Sequence, residues 1–242
     1  MAQDLQITNR YDNETLFFAE KANNNTARTG NEEFDKKGYL KIENLWDAED
    51  LYYPVPNIRG CWTHQDASEQ IVKTPIHQHD MEPQVPNCYS RYWYPGYKIA
   101  HRGIRKKLEK IIGKKLYETY HCDRFYFSGQ ELEKHLDRPA CEISVSVHVS
   151  TDLPGKYKDW PIKIKEPMVI GQYDIENYGD ENSVILNPGD GVVYKGCECV
   201  HWRDPMPTPK RNIFTKKEYY YHQIFFHYVL QDGSRVQHAW DK

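Results

Sequence analysis

The sequence is poor in the features that mark membrane proteins, secreted proteins and small disulfide-stapled domains. It has six cysteines in 242 residues, and none of them forms a Cys-x-x-Cys pair. Cys197 and Cys199 lie close together, but no second pair completes a zinc set, so we expect reduced thiols. Residues 1–10 have no apolar core, and no later window is apolar enough for a transmembrane helix. These absences predict a cytoplasmic protein without a membrane anchor.

The chain also lacks a strong charge of either sign. Its formal net charge is -3, which gives no general attraction to nucleic acid or to a lipid surface. Residues 97–117 differ, because apolar residues recur there at helical spacing and much of the remaining surface is basic. We interpret this segment as a helix that covers the core with a solvated face, and contact with nucleic acid is the alternative. The basic residues are Arg102, Arg105, Lys106, Lys107, Lys110, Lys114 and Lys115.

Composition divides the chain into a polar lead-in and one folded domain. Residues 1–30 are rich in Asn, Asp and Thr, and we expect a flexible segment there. Residues 31–242 are long enough for one sizeable core, and the aromatic content of 14% is high for a disordered chain. We therefore predict a single domain over 31–242.

Hydrophobic periodicity in the second half has a repeat of two residues, which indicates strands. Helical segments precede these strands, and Gly-rich turns separate them. This order predicts a mainly β protein with helices. The architecture that fits this order best is a double-stranded β-helix, that is, a cupin-like jelly roll with N-terminal helical support. The predicted strands are 33–45, 120–127, 140–151, 163–170, 183–186, 191–194 and 219–230.

A His and an Asp at the centre of the chain are candidate metal ligands. His135 and Asp137 are two residues apart, so on extended backbone their side chains project to the same side. A third candidate is His201, which follows the strand-like run after Gly189-Asp190. Two histidines and one carboxylate form the facial triad that binds Fe(II) and leaves three adjacent positions open. Because the set contains no Cys, a structural zinc site is disfavoured.

A second histidine cluster competes for the metal. His77 and His79 are followed by Asp80, but polar residues surround them and no apolar strand holds the rings. Metal-bound histidines need partners that fix the ring, so we interpret residues 77–80 as a substrate-facing loop. The aromatic run 89–96 is either core packing, a lid over the site or a wall of the substrate pocket.

With these pieces in order, the chain resembles the Fe(II)- and 2-oxoglutarate-dependent dioxygenases, nearest their prolyl 4-hydroxylase and phytanoyl-CoA hydroxylase-like branches. The matching segments are the run 34–42, the run 126–130 before His135-Leu136-Asp137, and the Gly-Asp strand that leads to His201. The resemblance implies hydroxylation of an unactivated C–H bond coupled to decarboxylation of 2-oxoglutarate to succinate. It also implies Fe(II), dioxygen and ascorbate as a reductant. Halogenating relatives carry a small residue where this chain has Asp137, so a hydroxylase is favoured.

The same resemblance implies a cation for the far carboxylate of 2-oxoglutarate. Prolyl-hydroxylase relatives place it about ten residues after the second His, which corresponds to Arg211. A Pro-rich insert, residues 204–209, intervenes, and Arg203 lies two residues after His201 on the same strand face. We prefer Arg203, with Arg211 as the alternate. Tyr126 stands where relatives place a tyrosine that binds the same carboxylate.

The prime substrate is open, and a peptidyl proline, a free amino acid and another small metabolite are all candidates. Two functions of other classes compete with the hydroxylase. One is a non-catalytic binding module of cupin type, since a fold does not determine a function. The other is an oxygenase directed to nucleic acid by the basic helix.

Overall fold

Two antiparallel sheets form the centre of the molecule. The computed structural model describes residues 27–52, 76–77, 84–85, 88–167, 179–210 and 219–241. The larger sheet runs, from edge to edge, β1 (Tyr39–Ile42), β9 (Gly191–Tyr194), β6 (Ile143–Thr151), β11 (Tyr220–Leu230), β4 (Leu116–Phe127), β3 (Tyr89–Tyr92) and β2 (Ile76–His77). The smaller sheet runs β5 (Leu132–His135), β10 (His201–Arg203), β7 (Ile162–Lys165) and β8 (Glu181–Val184). This arrangement confirms the predicted jelly roll.

The helices of the described residues precede most of the strands. They are α1 (Glu32–Lys37), α2 (Ala48–Leu51) and α3 (Lys98–Ile112), and a C-terminal 3-10 segment covers Val236–Asp241. None of them is long and apolar enough to cross a membrane. The five cysteines within the described ranges are free and buried, as expected for reduced thiols, and Cys61 lies outside those ranges.

Helix α3 covers the outer face of the larger sheet. Ile104, Leu108 and Ile112 are fully buried on one side of the helix, at the spacing that the sequence predicted. The helix ends earlier than expected because Gly113 has a φ of +68°, a left-handed conformation that terminates helices. Residues 116 and 117 therefore belong to β4, and not to the helix.

The alternation of β6 places two kinds of residue on its two faces. Val145, Val147 and Val149 belong to the apolar core with α3. Ser144, Ser146 and His148 alternate with these valines, and side chains of a strand alternate between the two faces. The face of the larger sheet that turns away from α3 is therefore polar, and the candidate site lies on this face.

The strand predicted over 33–45 is wrong in its first part. Residues 32–37 form a helix, because the Asn31 side chain accepts a hydrogen bond from the Phe34 N–H at 2.9 Å and so caps the helix. Gly38, with a φ of +77°, ends it. The strand itself is limited to β1. The two-residue hydrophobic repeat of this segment predicted a strand because it does not register the helix cap at Asn31.

The predicted lead-in is only partly within the described residues. Residues 1–26 lie outside them. Ala27 is buried, and the Gly30 N–H donates to the Ile112 carbonyl at 2.7 Å. Gly30 thus contacts the end of α3 and Ala27 packs in the core, whereas the domain boundary at residue 31 stays a prediction.

Candidate active site

Strands β5 and β10 place two histidines side by side. His135, the last residue of β5, is the register partner of His201, the first residue of β10, and their ring centroids are 4.2 Å apart. Asp137 follows two residues after β5. Its Oδ1 lies 3.6 Å from His135 Nε2 and 3.5 Å from His201 Nε2. The three predicted ligands therefore converge on one point.

Each histidine is oriented by the backbone of its own strand. His135 Nδ1 lies 2.8 Å from the Glu133 carbonyl, and His201 Nδ1 lies 2.9 Å from the Cys199 carbonyl. A carbonyl only accepts hydrogen bonds, so each Nδ1 carries a proton and donates. Both Nε2 atoms then present lone pairs to the point where the ligands converge, as metal binding requires.

The electrostatics of the triad suit a divalent cation. Burial and the neighbouring His201 lower the pKa of His135, which keeps the ring neutral. Burial alone would raise the pKa of Asp137, but the two neighbouring histidines, His201 first, hold this pKa well below its usual range. Two imidazoles and one carboxylate are a donor set that Fe(II) accepts.

A brace fixes the second oxygen of Asp137. Ser144 Oγ donates to Asp137 Oδ2 at 2.8 Å, and Ser144 accepts from His227 Nδ1 at 2.9 Å. Burial lowers the pKa of His227 to about 4, so its ring is neutral at physiological pH. Because a carboxylate only accepts hydrogen bonds, the Ser144 proton points to Asp137, and His227 Nδ1 is the donor to Ser144. Asp137 Oδ1 stays available for a metal.

Gly196 holds the same carboxylate from the other side. The Asp137 N–H donates to the Gly196 carbonyl at 2.9 Å. A Cβ on Gly196 would lie 2.4 Å from both Asp137 Oδ2 and the Cys141 carbonyl, which is far inside van der Waals contact. Only glycine leaves room for the Asp137 side chain at this turn.

Two groups of described residues have donor atoms close enough to share a metal ion. One is the triad, and the other is Asp137 with Cys141 and His227. Burial raises the pKa of Cys141 well above its usual value, so this side chain is a protonated thiol and a poor ligand. His227 also donates to Ser144, as described above. The triad is therefore the better metal site.

Arg203 lies beyond His201 on β10 and is fully buried. Its guanidinium packs 4.6 Å from the ring centroid of Trp160 and 4.8 Å from that of Tyr221. One nitrogen, Nη1, donates to the Trp160 carbonyl at 2.7 Å. The Nε and Nη2 atoms and the Tyr221 hydroxyl have no hydrogen-bond partner among the described residues. Each unmet buried donor costs about 1–3 kcal/mol, so this group, which we name the Arg203 cradle, could bind an anion.

Tyr126 joins the Arg203 cradle to a second arginine. Its hydroxyl accepts from Arg124 Nη1 at 3.2 Å, and its ring meets Trp160 edge-on at 5.2 Å. Burial raises the pKa of Tyr126, and Arg124 and Arg203 limit the rise. Tyr126 thus stands between two guanidinium groups. Arg211, the alternate cation, lies outside the described residues.

A cavity opens over the triad, and its walls include residues that sequence reasoning did not assign to the site. Its empty space is about 570 Å³ including the open mouth. The predicted aromatic run contributes Tyr92 to the wall, whereas the side chains of His77 and residues 78–80 are not described. The newly found wall residues include Tyr120, Arg124, Tyr194, Phe225 and His227.

No family model and no curated protein matches the chain in sequence, but solved structures match its fold. AviO1 from Streptomyces viridochromogenes Tue57 has a TM-score of 0.55 and 13% identity, and the match covers 84% of this chain and 94% of AviO1. A 2OG-Fe(II) oxygenase-family oxidoreductase from Burkholderia pseudomallei has a TM-score of 0.52 and 10% identity, with 83% and 89% covered. The protein has the fold of the 2OG-Fe(II) oxygenases.

A third match was solved with ligands. HygX from Streptomyces hygroscopicus, with nickel, 2-oxoglutarate and hygromycin B bound, has a TM-score of 0.51 and 9% identity, and the match covers 81% of this chain and 84% of HygX. At these identities the likeness concerns the fold. The assignment of ligands in this chain rests on its own residues.

Proposed function

We propose that the protein is an Fe(II)- and 2-oxoglutarate-dependent dioxygenase that hydroxylates an unactivated C–H bond of its substrate. 2-Oxoglutarate would be converted to succinate and carbon dioxide in the same cycle. The observation that carries the proposal is the convergence of His135, Asp137 and His201, with both Nε2 atoms and one carboxylate oxygen aimed at one point. The fold shared with the 2OG-Fe(II) oxygenases supports it.

The triad would hold the iron, and the residues around it would control its surroundings. When bound, iron supplies the oxidising chemistry with dioxygen and 2-oxoglutarate as co-substrates. His135 and His201 bind through Nε2 because their Nδ1 protons are held by backbone carbonyls. Asp137 occupies the place that a small residue takes in halogenating relatives, which favours hydroxylation. The Ser144 hydroxyl keeps that carboxylate from rotating away.

The Arg203 cradle is the proposed site of the far carboxylate of 2-oxoglutarate. His201 and Arg203 are two residues apart on β10, so their Cα atoms are separated by roughly 7 Å along the strand. Arg203 offers two unmet N–H groups and Tyr221 offers a hydroxyl, which match the two oxygens of a carboxylate. The carboxylate of one co-substrate would meet these donors while its other end reaches the triad. HygX, which shares the fold, was solved with 2-oxoglutarate bound.

The experiment that tests the proposal measures succinate formation from 2-oxoglutarate by the purified protein with Fe(II) and ascorbate. We expect slow substrate-independent turnover in the wild type and none in His201→Ala. A second measurement, thermal unfolding with Co(II) and 2-oxoglutarate, should show stabilisation of the wild type alone. Absence of both turnover and stabilisation would leave the non-catalytic module of cupin type as the better function.

The role of Arg203 has its own test in the KM for 2-oxoglutarate. We expect Arg203→Gln to raise this KM roughly ten- to a hundredfold, because a charge-assisted hydrogen-bond pair is lost. The KM of Arg203→Lys should lie between those of the wild type and Arg203→Gln, since lysine keeps the positive charge but not the two-pronged guanidinium geometry. A normal KM in Arg203→Gln with a raised one in Arg124→Gln would move the carboxylate to Arg124.

A further inference from the structure

The cavity over the triad carries more positive than negative charge. Among its described wall residues, the ionised groups are Arg124, Arg138 and Asp137. The two positive charges of the iron would be offset by the two carboxylates of 2-oxoglutarate, so the excess of one positive charge that two arginines and one aspartate give the wall would persist. Attraction between charges is strong where water is excluded, and this cavity therefore favours an anion.

Arg138 directly follows the proposed metal ligand Asp137 in the chain and lies in the cavity wall. Its guanidinium lies 4.4 Å from the ring centroid of Tyr120, another residue of the cavity wall. Tyr120 in turn stacks on His227, with centroids 4.4 Å apart. The arginine head is thus packed over an aromatic ring, which restricts the positions that it can take.

One carboxylate of the described residues already reaches Arg138. Asp241 Oδ1 lies 2.6 Å from Arg138 Nη1, and the two side chains are 19% and 16% exposed. Asp241 belongs to the C-terminal 3-10 segment, in which Trp240 has a φ of +58° and Asp241 a φ of +54°. These left-handed conformations are unfavourable for non-glycine residues. The ion pair is thus closed by a segment in an unfavourable backbone conformation, whose strain offsets part of the stabilisation that the pair contributes.

We propose that the substrate carries a compact anionic group, a carboxylate or a phosphate, which binds Arg138 in place of Asp241. This inference rests on the proposed function, because it assigns the substrate class of that site. Arg138 is a specificity-determining residue, and Asp241 competes with the substrate for it. An uncharged peptidyl proline offers no such group, so a small anionic metabolite fits the cavity better.

The test uses substrate-dependent succinate formation. A small-molecule extract of the cells that produce the protein naturally is separated on an anion-exchange resin at neutral pH. The retained and unretained fractions are added to the protein with Fe(II), 2-oxoglutarate and ascorbate. We expect the retained fraction to stimulate succinate formation above the substrate-independent level. Treatment of that fraction with a phosphatase separates a phosphate, whose effect is lost, from a carboxylate, whose effect persists.

Variants connect the stimulation to Arg138. The amount of retained fraction needed for half-maximal stimulation should rise roughly ten- to a hundredfold in Arg138→Gln and less in Arg138→Lys. It should fall in Asp241→Asn, because the competing carboxylate is removed. Lys114→Gln is the matched control, since Lys114 forms an exposed ion pair with Asp232, another pair near the C-terminus, and lies outside the cavity wall.

Three results would overturn the inference. The first is stimulation by the unretained fraction, which shows a neutral or cationic substrate. The second is stimulation by neither fraction, which excludes a small metabolite. The third is an unchanged half-maximal amount in Arg138→Gln, which leaves Arg138 a purely structural role. If the wild type forms no succinate in the absence of substrate, the proposed function itself is contradicted. Failure of the substrate assignment and failure of the proposed function are therefore distinguishable.

Discussion

His135 and His201 face each other as register partners across two antiparallel strands, and each ring is held by the backbone carbonyl two residues before it. The hydrogen bonds that orient both rings therefore come from the backbone of their own strands. Asp137 differs, because it lies beyond the end of β5 and takes its orientation from Ser144 and Gly196. The carboxylate is the ligand whose position is most sensitive to its neighbours.

The Ser144 hydroxyl is expected to control metal affinity. Ser144→Val removes the donor to Asp137 Oδ2, whereas Ser144→Thr keeps a hydroxyl in a side chain of the same shape as valine. Loss of such a supporting hydrogen bond lowers metal affinity by roughly ten- to a hundredfold. We expect this loss in Ser144→Val and near-normal affinity in Ser144→Thr, as measured by Co(II) titration followed in the visible spectrum. Equal affinities of the two variants would show that the brace is dispensable.

Gly196 is expected to be essential for the same carboxylate. A Cβ at this position would meet Asp137 Oδ2 and the Cys141 carbonyl at 2.4 Å. Gly196→Ala should therefore displace Asp137, abolish measurable Co(II) binding and lower the free energy of unfolding by about 1–3 kcal/mol. Gly30→Ala is a suitable control, because its Cβ would crowd Gly113, away from the triad. Retention of Co(II) affinity in Gly196→Ala would contradict the steric argument.

Burial of a neutral histidine predicts how stability depends on pH. Burial lowers the pKa of His148 to about 4, whereas an unfolded histidine titrates near 6.5. The unfolded chain thus binds more protons between these values, so this contribution is present above pH 6.5 and is lost as the pH falls toward 4. From pH 7 to pH 5 the loss is about 2 kcal/mol.

The measurement is urea unfolding of the wild type and of His148→Gln at both pH values. We expect the stability difference between pH 7 and pH 5 to be smaller in the variant by that amount. An identical pH dependence would mean that His148 accepts its proton within the folded protein.

The fold and the candidate metal ligands were predictable from sequence because they depend on local periodicity. Alternating apolar residues gave the strands, and His135 and Asp137 are separated by the two-residue repeat that places side chains on one face. The third ligand, His201, followed from a Gly-Asp turn and a short strand. The prolyl-hydroxylase branch and the cytoplasmic location remain predictions.

The remaining parts of the site depend on packing between distant strands, which periodicity does not encode. Ser144 looks like an ordinary strand serine until β6 is placed beside Asp137. The roles of Arg124 and Tyr221 were equally hard to predict. Strand pairing brings Arg124 to the cavity and Tyr221 to the Arg203 cradle. The alternation of serines and valines in β6 was the available signal, since it marks a sheet with one polar face turned inward. The Arg138–Asp241 pair joins residues too far apart in sequence to predict.

Helix α3 should contribute stability without taking part in the chemistry. Ile104 is fully buried under the larger sheet, whereas Ile99 on the same helix is 80% exposed. Ile104→Ala leaves a cavity in the core and should lower the free energy of unfolding by about 2–5 kcal/mol, while Ile99→Ala should change it by less than about 0.5 kcal/mol. Both changes remove the same atoms from the same helix, so their helix propensities cancel. Urea unfolding measures the difference, and Co(II) affinity below the unfolding transition should be normal in both. A Co(II) affinity reduced only in Ile104→Ala would show that α3 also sets the position of the triad through β6 and β11.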